Sequence, residues 1–305
     1  MQRVLVTGGA GFIGSHTVDL LLSKGLKVSV IDNLETGKLT NLDILNPDLE
    51  FFQADIRDKK IMKQQVARAD AVLHLAALPF VQQSIDEPLV SLGVNLEGFV
   101  HVLEAVRHNH KKIKVVYASS AAVYGESKEL PCSDTAVALD EPLSPYALEK
   151  FSNEKYAALF ARLFEMKCMG LRYFNVYGAR QDPKSPYSGV ISKFMDQYKA
   201  KEPLTVFGDG KQTRDFIHVS DVARANFQAL TCDYSGVVNI ATSTKETLLN
   251  MISYIEAAGG YKAEVKFDKA RLGDIYESYA DVASAKKHMD FSSKVALKDG
   301  LALFF

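Results

Sequence analysis

The chain has 305 residues, 47% of them hydrophobic, with 36 basic side chains against 37 acidic ones and a formal net charge of −1. That balance excludes a basic field for nucleic acid or an anionic membrane surface, no apolar run approaches the roughly 20 residues that span a bilayer, and the N-terminus leads into a strand rather than a signal peptide. The length suits one large domain or a large and a small one, and three isolated cysteines (Cys132, Cys168, Cys232), without metal or redox spacing, fit a reducing cytoplasm.

An apolar run at residues 4–6 reads as a buried strand and passes at once into Thr7-Gly8-Gly9-Ala10-Gly11-Phe12-Ile13-Gly14. Ile13, His16, Thr17, Leu20 and Leu21 then recur at helical spacing, which predicts a helix over 12–22. Gly9, Gly11 and Gly14 have the spacing of a dinucleotide-binding turn, in the strand-turn-helix setting it requires. Residues without Cβ let the chain turn tightly and let a pyrophosphate approach the helix N-terminus, where free N–H groups stabilise it. Residues 27–31 are a second apolar strand, ending in Asp32. An acid there accepts ribose hydroxyls and repels a 2′-phosphate, so NAD is expected over NADP.

Strand and helix patterns keep alternating: a strand at 49–52, a turn at 55–58, a helix at 59–67, and a strand at 71–75 ending in Ala76 and Ala77. A long helix is expected from about 87 to 110, with Pro88 in its first turn. The strand at 114–118 leads into Ser119 and Ser120. Ser144 and Pro145 open a further long helix, to about 167, as N-cap and first residue, and a strand at 169–174 follows. This order predicts an α/β fold with a doubly wound parallel sheet and ligands at the C-terminal ends of its strands. Beyond Gly178 the pattern loosens into a polar loop and short strands (204–207, 237–240, 264–267) among helices near Ser220, Glu246 and Asp281. The expected division is a cofactor domain over 1–178, with returns near 211–245, and a smaller, mainly substrate-binding α/β domain over 179–305.

Tyr146 and Lys150 lie four residues apart, so on a helix they share a face. A phenol near pKa 10 is a poor base at neutral pH, and lowering it by about three units asks for ~4 kcal/mol. A lysine cation and a positive nicotinamide ring both favour the phenolate. Ser119 and Ser120, just past the fifth strand, can pass a hydrogen bond between a substrate and that phenol.

The motifs Thr7-Gly8-Gly9-Ala10-Gly11-Phe12-Ile13-Gly14, Asp32-Asn33-Leu34, Ser119-Ser120-Ala121-Ala122-Val123-Tyr124-Gly125, Tyr146-x-x-x-Lys150 and Leu171-Arg172-Tyr173-Phe174-Asn175-Val176-Tyr177-Gly178 resemble those of the extended short-chain dehydrogenase/reductases. Within them the chain is similar to the sugar-nucleotide 4-epimerases over nearly its whole length. The resemblance implies a Rossmann domain with a small C-terminal substrate domain, bound NAD, and Ser120, Tyr146 and Lys150 as catalytic residues. It places cofactor contacts at Gly8, Gly11, Phe12, Ile13, Asp32, Asn33 and Tyr173, besides Tyr146 and Lys150. It adds Asp55 and Ile56 on the adenine side, Leu75, Ala76 and Ala77 beside the pyrophosphate and nicotinamide ribose, and Asn95 in the cofactor shell. Ser119 and Ser120 would meet the sugar, Asn175, Arg214 and Arg271 the substrate diphosphate, and Asp274 the uridine ribose. Bidentate guanidinium binding is a sound reason for arginine at a diphosphate. A homodimer through the helices at 87–110 and 144–167 is also implied.

The resemblance bears on the sugar as well. In glucose-only relatives a tyrosine walls the pocket four positions after the Asp of Arg-x-Gly-Asp; here Ser278 stands there and leaves room for a 2-N-acetyl group. A shifted register that brings Tyr276 or Tyr279 to the wall is the alternative. Gln181-Asp182-Pro183-x-Ser185-Pro186-Tyr187-Ser188-Gly189 also resembles the loop of epimerases for N-acetylated sugars. The expected reaction is therefore interconversion of UDP-N-acetylglucosamine and UDP-N-acetylgalactosamine, with UDP-glucose/UDP-galactose as a second pair. The alternatives are a UDP-glucose- or UDP-glucuronate-specific 4-epimerase and a non-catalytic NAD-sensing binder. Ala121 and Ala122 stand where sugar-nucleotide 4,6-dehydratases carry an Asp-Glu pair, which disfavours elimination.

Overall fold

A computed structural model describes residues 1–109, 112–127, 129–135, 142–183, 189–270 and 275–305. Six of its strands are β1 (Arg3–Thr7), β2 (Lys27–Asp32), β3 (Leu49–Gln53), β4 (Ala71–His74), β5 (Lys114–Ser120) and β6 (Cys168–Tyr173). With Gly236–Ile240 they form a seven-stranded sheet in the order β3-β2-β1-β4-β5-β6-(Gly236–Ile240). Every pairing in it is parallel; Val4, for example, stands beside Val28 on one side and Ala71 on the other. Both faces are covered, which is why the strands read as unbroken apolar runs rather than alternating ones.

One face packs on α1 (Phe12–Ser23) and the helix Val219–Thr231, joining Val4, Val6, Val28 and Val30 to Val18, Leu21, Val222 and Ala229 in one core. The other face packs on α2 (Lys59–Arg68) and two long helices, joining Leu5, Val72 and Val115 to Met62, Phe99, Leu103 and Phe160. Alternation along β1 sends Val4 and Val6 one way and Leu5 the other. The order reverses between β1 and β4, and the crevice where a ligand belongs opens at that switch.

The second long helix, Pro145–Phe164, begins as expected, with the Ser144 side chain accepting from Ala147 N–H at 3.1 Å and Pro145 in its first turn. It stops three residues short of the expected end because Glu165 turns left-handed, at φ 54°. The first long helix differs more. A short helix, Val81–Asp86, precedes it, Glu87 breaks the path at φ −132°, and Pro88 restarts it. A wide π turn at Gly93–Glu97 then interrupts it before Gly98–Arg107. Pro88–Arg107 also corrects the expectation about bilayer-length segments: by length and composition alone this helix is apolar enough to cross a membrane. The cause is that one side of it fills the core through Phe99, Val102, Leu103 and Val106, while Leu89, Val90 and Leu92 are exposed on its first turns.

Outside the sheet, the helices Val190–Lys199, Leu248–Gly259 and Leu297–Ala302 enclose a separate core containing Phe194, Leu204, Met251, Ile255 and Leu301. Between the two cores run strands of two or three residues. Asn175–Tyr177 pairs with Phe216–His218, and Thr213–Arg214 lies between Glu246–Thr247 and Glu277–Ser278. These strands are too short to hold themselves. Buried Asp215 pins them, accepting from Thr242 N–H at 2.8 Å, Thr242 Oγ1 at 2.6 Å and Ala280 N–H at 3.4 Å.

Candidate active site

The crevice at the sheet's switch point is a cavity of about 430 Å³. Its floor is the glycine turn. Gly8 has φ +71°, and a Cβ on it would stand 2.6 Å from Ala76 N; one on Gly14 would stand 2.1 Å from Gly8 O. Any side chain at either place collides with backbone, so the sequence must be glycine for the turn to close under α1. Gly11 is the N-cap of α1 and has no side-chain cap, which leaves the first-turn N–H groups of the helix to an anion. Gly8, Gly11, Phe12 and Ile13 line this end.

Asp32 ends β2 and is 7% exposed. It accepts from Ala10 N–H and Leu34 N–H, each at 2.9 Å. Burial raises its pKa, and those backbone donors oppose the rise. Asn33, Asp55 and Ile56 continue the wall, and the Asp55 carboxylate is held below its usual range by the Arg57 guanidinium, at 2.7 and 2.9 Å. On the opposite wall stand Leu75, Ala76 and Ala77. Thr7 Oγ1 bonds His74 Nδ1 at 2.8 Å behind that wall. Burial, with Lys150 nearby, pushes His74 down to about 3, so the ring is neutral.

Ser119, Ser120, Tyr146, Lys150 and Tyr173 line the far end. The Pro145–Phe164 helix carries Tyr146 and Lys150 on one face, with Lys150 Nζ 5.7 Å from the centre of the Tyr146 ring. Lys150 donates to Ala118 O at 3.1 Å, at the end of β5. Burial pushes its ammonium down to about 8, against the pull of Glu149. Burial raises the Tyr146 phenol, while a hydrogen bond with Ser120 favours its ionised form. A positive charge held in the cavity beside the phenol would favour its ionised form. The glycine cradle, the buried acid at the end of β2 and the small-residue wall together fit an oxidised nicotinamide dinucleotide.

Other expected site residues lie elsewhere. Asn95, in the π turn, is 1% exposed and stands behind the wall. Its amide accepts from Leu78 N–H at 2.8 Å and donates to Leu78 O at 3.1 Å and Glu149 Oε2 at 2.7 Å, so it acts on the cavity through Leu78. Asn175 donates to Asp215 O at 2.9 Å, and Arg214 donates to Thr213 O at 2.8 Å. Ser278 is the strand neighbour of Arg214. Tyr276 is 61% exposed, and Tyr279 lies under Lys245 Nζ, 4.3 Å from its ring centre. Arg271 and Asp274, and the loop residues Ser185, Pro186, Tyr187 and Ser188, fall outside the described residues.

Two groups went unread in the sequence. Lys38 and Asn41, in the loop after β2, close over the glycine turn by bonding Ala10 O at 3.0 and 2.9 Å. A buried chain of polar groups backs Ser119. Its hydroxyl donates to Glu154 at 2.5 Å, Glu154 takes a bidentate pair from Arg172 at 2.8 and 2.7 Å, and Arg172 reaches Tyr124, which donates to Asn239. An arginine inside the apolar run at 169–174 was the available signal, because a charge in a buried strand demands a partner.

Residues 4–241 match the family described as NAD dependent epimerase/dehydratase. A putative UDP-glucose 4-epimerase of Methanocaldococcus jannaschii is 41% identical over 300 residues, covering 98% of this chain and 95% of that one. Two solved structures share the fold. The UDP-N-acetylglucosamine 4-epimerase of Methanobrevibacter ruminantium, in complex with UDP-N-acetylmuramic acid, superposes with TM-score 0.94 at 37% identity over 99% of this chain and 98% of that one. The UDP-glucose 4-epimerase of Thermus thermophilus, in complex with NAD, has TM-score 0.90 at 36% identity over 99% and 97%.

Proposed function

We infer that this chain, which belongs to the NAD dependent epimerase/dehydratase family and is an NAD-dependent UDP-sugar 4-epimerase, interconverts UDP-N-acetylglucosamine and UDP-N-acetylgalactosamine, with UDP-glucose and UDP-galactose as a second pair. The observation that carries the chemistry is the convergence of Ser120, Tyr146 and Lys150 at one end of the cofactor cradle. Gly8, Gly11, Phe12, Ile13, Asp32, Asn33, Asp55, Ile56 and the Leu75–Ala77 wall hold NAD in this reading. NAD supplies a positive charge beside the phenol, a hydride acceptor for C4 of the sugar, and a donor that returns the hydride to the opposite face. Tyr146, as phenolate, removes the 4-OH proton with Ser120 as its hydrogen-bond partner and restores it after the keto sugar has turned over. Lys150 steadies the phenolate. Asn175, Arg214 and Arg271 hold the diphosphate while the sugar turns, and Asp274 the uridine ribose.

The N-acetylated pair is favoured by Ser278. It lies beside Arg214, while both nearby tyrosines are engaged elsewhere, Tyr276 toward solvent and Tyr279 under Lys245. Purified protein mixed with UDP-N-acetylglucosamine, or with UDP-glucose, and no added cofactor is expected to form the 4-epimer in each case; a requirement for stoichiometric external NAD would contradict the reading. A Ser278→Tyr variant is expected to lose the N-acetylated pair and keep UDP-glucose. Unchanged preference in that variant would mean the pocket is bounded elsewhere.

The same reading includes a homodimer. Leu148, Tyr156, Leu159 and Leu163 share a face of the Pro145–Phe164 helix, and they are exposed together with Leu89, Val90 and Leu92. A surface of that kind suits a two-fold copy. The buried free thiols Cys132 and Cys168 suit a cytoplasmic protein.

A further inference from the structure

The segment Val81–Arg107 and the Pro145–Phe164 helix meet along a seam that is polar where it passes the catalytic pair. Ser84 Oγ accepts from Tyr146 N–H at 3.1 Å. Ser91 Oγ and Asn95 Nδ2 each donate to Glu149 Oε2 at 2.7 Å, and Asn153 Nδ2 donates to Asn95 O at 3.0 Å. Glu149 is 3% exposed. A carboxylate in that position is expensive to bury, and two neutral donors do not neutralise it. It directly precedes Lys150 and lies three residues from Tyr146 on the same helix.

We propose that Glu149 is a positioning residue of the active site: its buried carboxylate, clamped by Ser91 and Asn95, holds Lys150 as the ammonium, opposes the Tyr146 phenolate, and so sets the pH range in which the pair works. The inference rests on the epimerase reading for the roles of Tyr146 and Lys150. Electrostatics agree with the geometry, since the Glu149 charge raises both Lys150 and Tyr146. Other ionisable groups among the described residues lie near the pair. On β4 there is His74, which burial keeps neutral, and on β6 Tyr173, whose phenol burial raises; on the facing segment Ser84, Ser91 and Asn95 carry no charge, and Asp86, Glu87 and Glu97 are exposed. Glu149 is therefore a buried charge whose field reaches both members of the pair. The same clamp runs through Asn95 to both backbone groups of Leu78 in the cavity wall, so it couples catalytic helix and wall.

Glu149→Gln tests this directly, because the amide oxygen can still accept from Ser91 and Asn95. With the charge gone, both Tyr146 and Lys150 lose protons more readily. The acid limb of the kcat profile, which follows Tyr146, and the alkaline limb, which follows Lys150, are both expected to move to lower pH, by about one unit, with KM little changed. A lower kcat with both limbs in place would overturn the proposal and leave Glu149 a packing residue. An ultraviolet difference titration of the NAD-loaded protein, with Tyr146→Phe as reference, reads the Tyr146 ionisation without turnover; its midpoint should fall in Glu149→Gln. An unmoved midpoint overturns the proposal even where the variant still turns over, and a lowered midpoint upholds it even if no UDP-sugar proves to be a substrate. Should Glu149→Gln not fold, Ser91→Ala, which removes one donor to the charge, is expected to move the same midpoint; no movement there also overturns it.

Discussion

Tyr146→Phe is expected to lower kcat about 10³-fold while leaving KM within a few-fold of its original value. General acid–base groups contribute roughly 10²–10⁴, and the reaction here needs the phenol twice, once to take the 4-OH proton and once to return it. Phenylalanine fills the same space, and Lys150 keeps its bond to Ala118 O, so the fold and the cofactor cradle stay intact. An effect on kcat and kcat/KM alike is what loss of a transition-state contact produces. The variant should also lose the acid limb of its pH profile. With the positive charge of bound cofactor bringing the Tyr146 ionisation, which burial alone raises, below that of Lys150, which burial lowers to about 8, activity in the intact protein is expected to increase as pH rises through the phenol's ionisation and to decline once Lys150 loses its proton. Steady-state kinetics from about pH 5 to about 10, a range that spans the ordinary histidine ionisation and reaches that of tyrosine, check this. Near-normal turnover in the variant would remove Tyr146 from the base role.

Arg172→Met is expected to cost about 3–5 kcal/mol of stability. Arg172 is 1% exposed, and its removal leaves the Glu154 carboxylate buried without its cation; breaking a buried pair from one side has that cost. The loss should be smaller in Arg172→Met combined with Glu154→Gln, because the stranded charge goes with its partner. Denaturant unfolding of the two single variants and the double one measures the coupling. A single-variant loss below about 1 kcal/mol would show that the pair contributes no more than a surface bridge. Because Glu154 also takes the Ser119 hydroxyl, the residual activity of folded Arg172→Met should drop through a displaced end of β5.

The parts of the molecule that could be read from sequence are those whose physics is local. Strands β1 to β6 are apolar runs because both faces of a parallel sheet are buried, and the glycine turn shows itself because no other residue closes it. Ser144-Pro145 announces a helix start through its cap. What could not be read depends on distant partners. The strands Thr213–Arg214 and Glu277–Ser278 have no pattern of their own, being only two residues long and held by Asp215. Glu149 and Glu154 sit among lysines in a stretch that looks like a solvated helix face, yet both are buried, one against Ser91 and Asn95 and the other against Ser119 and Arg172. Asn95 is expected in the cofactor shell; its place in a π turn is something helical periodicity does not reveal. The bilayer-length helix was missed because Glu97, Glu104 and Arg107 interrupt the apolar run, while its hydropathy averaged over a full span remains high.

The most direct measurement follows hydrogen at the reacting carbon. Purified protein is given UDP-N-acetylglucosamine carrying deuterium at C4, in ordinary water with no added cofactor, and the products are followed by NMR. A phenol that moves only the hydroxyl proton, beside a cofactor that keeps the hydride, predicts UDP-N-acetylgalactosamine with the deuterium still at C4. No epimer from either UDP-sugar pair, or an epimer whose label has been exchanged for solvent hydrogen, would contradict the account.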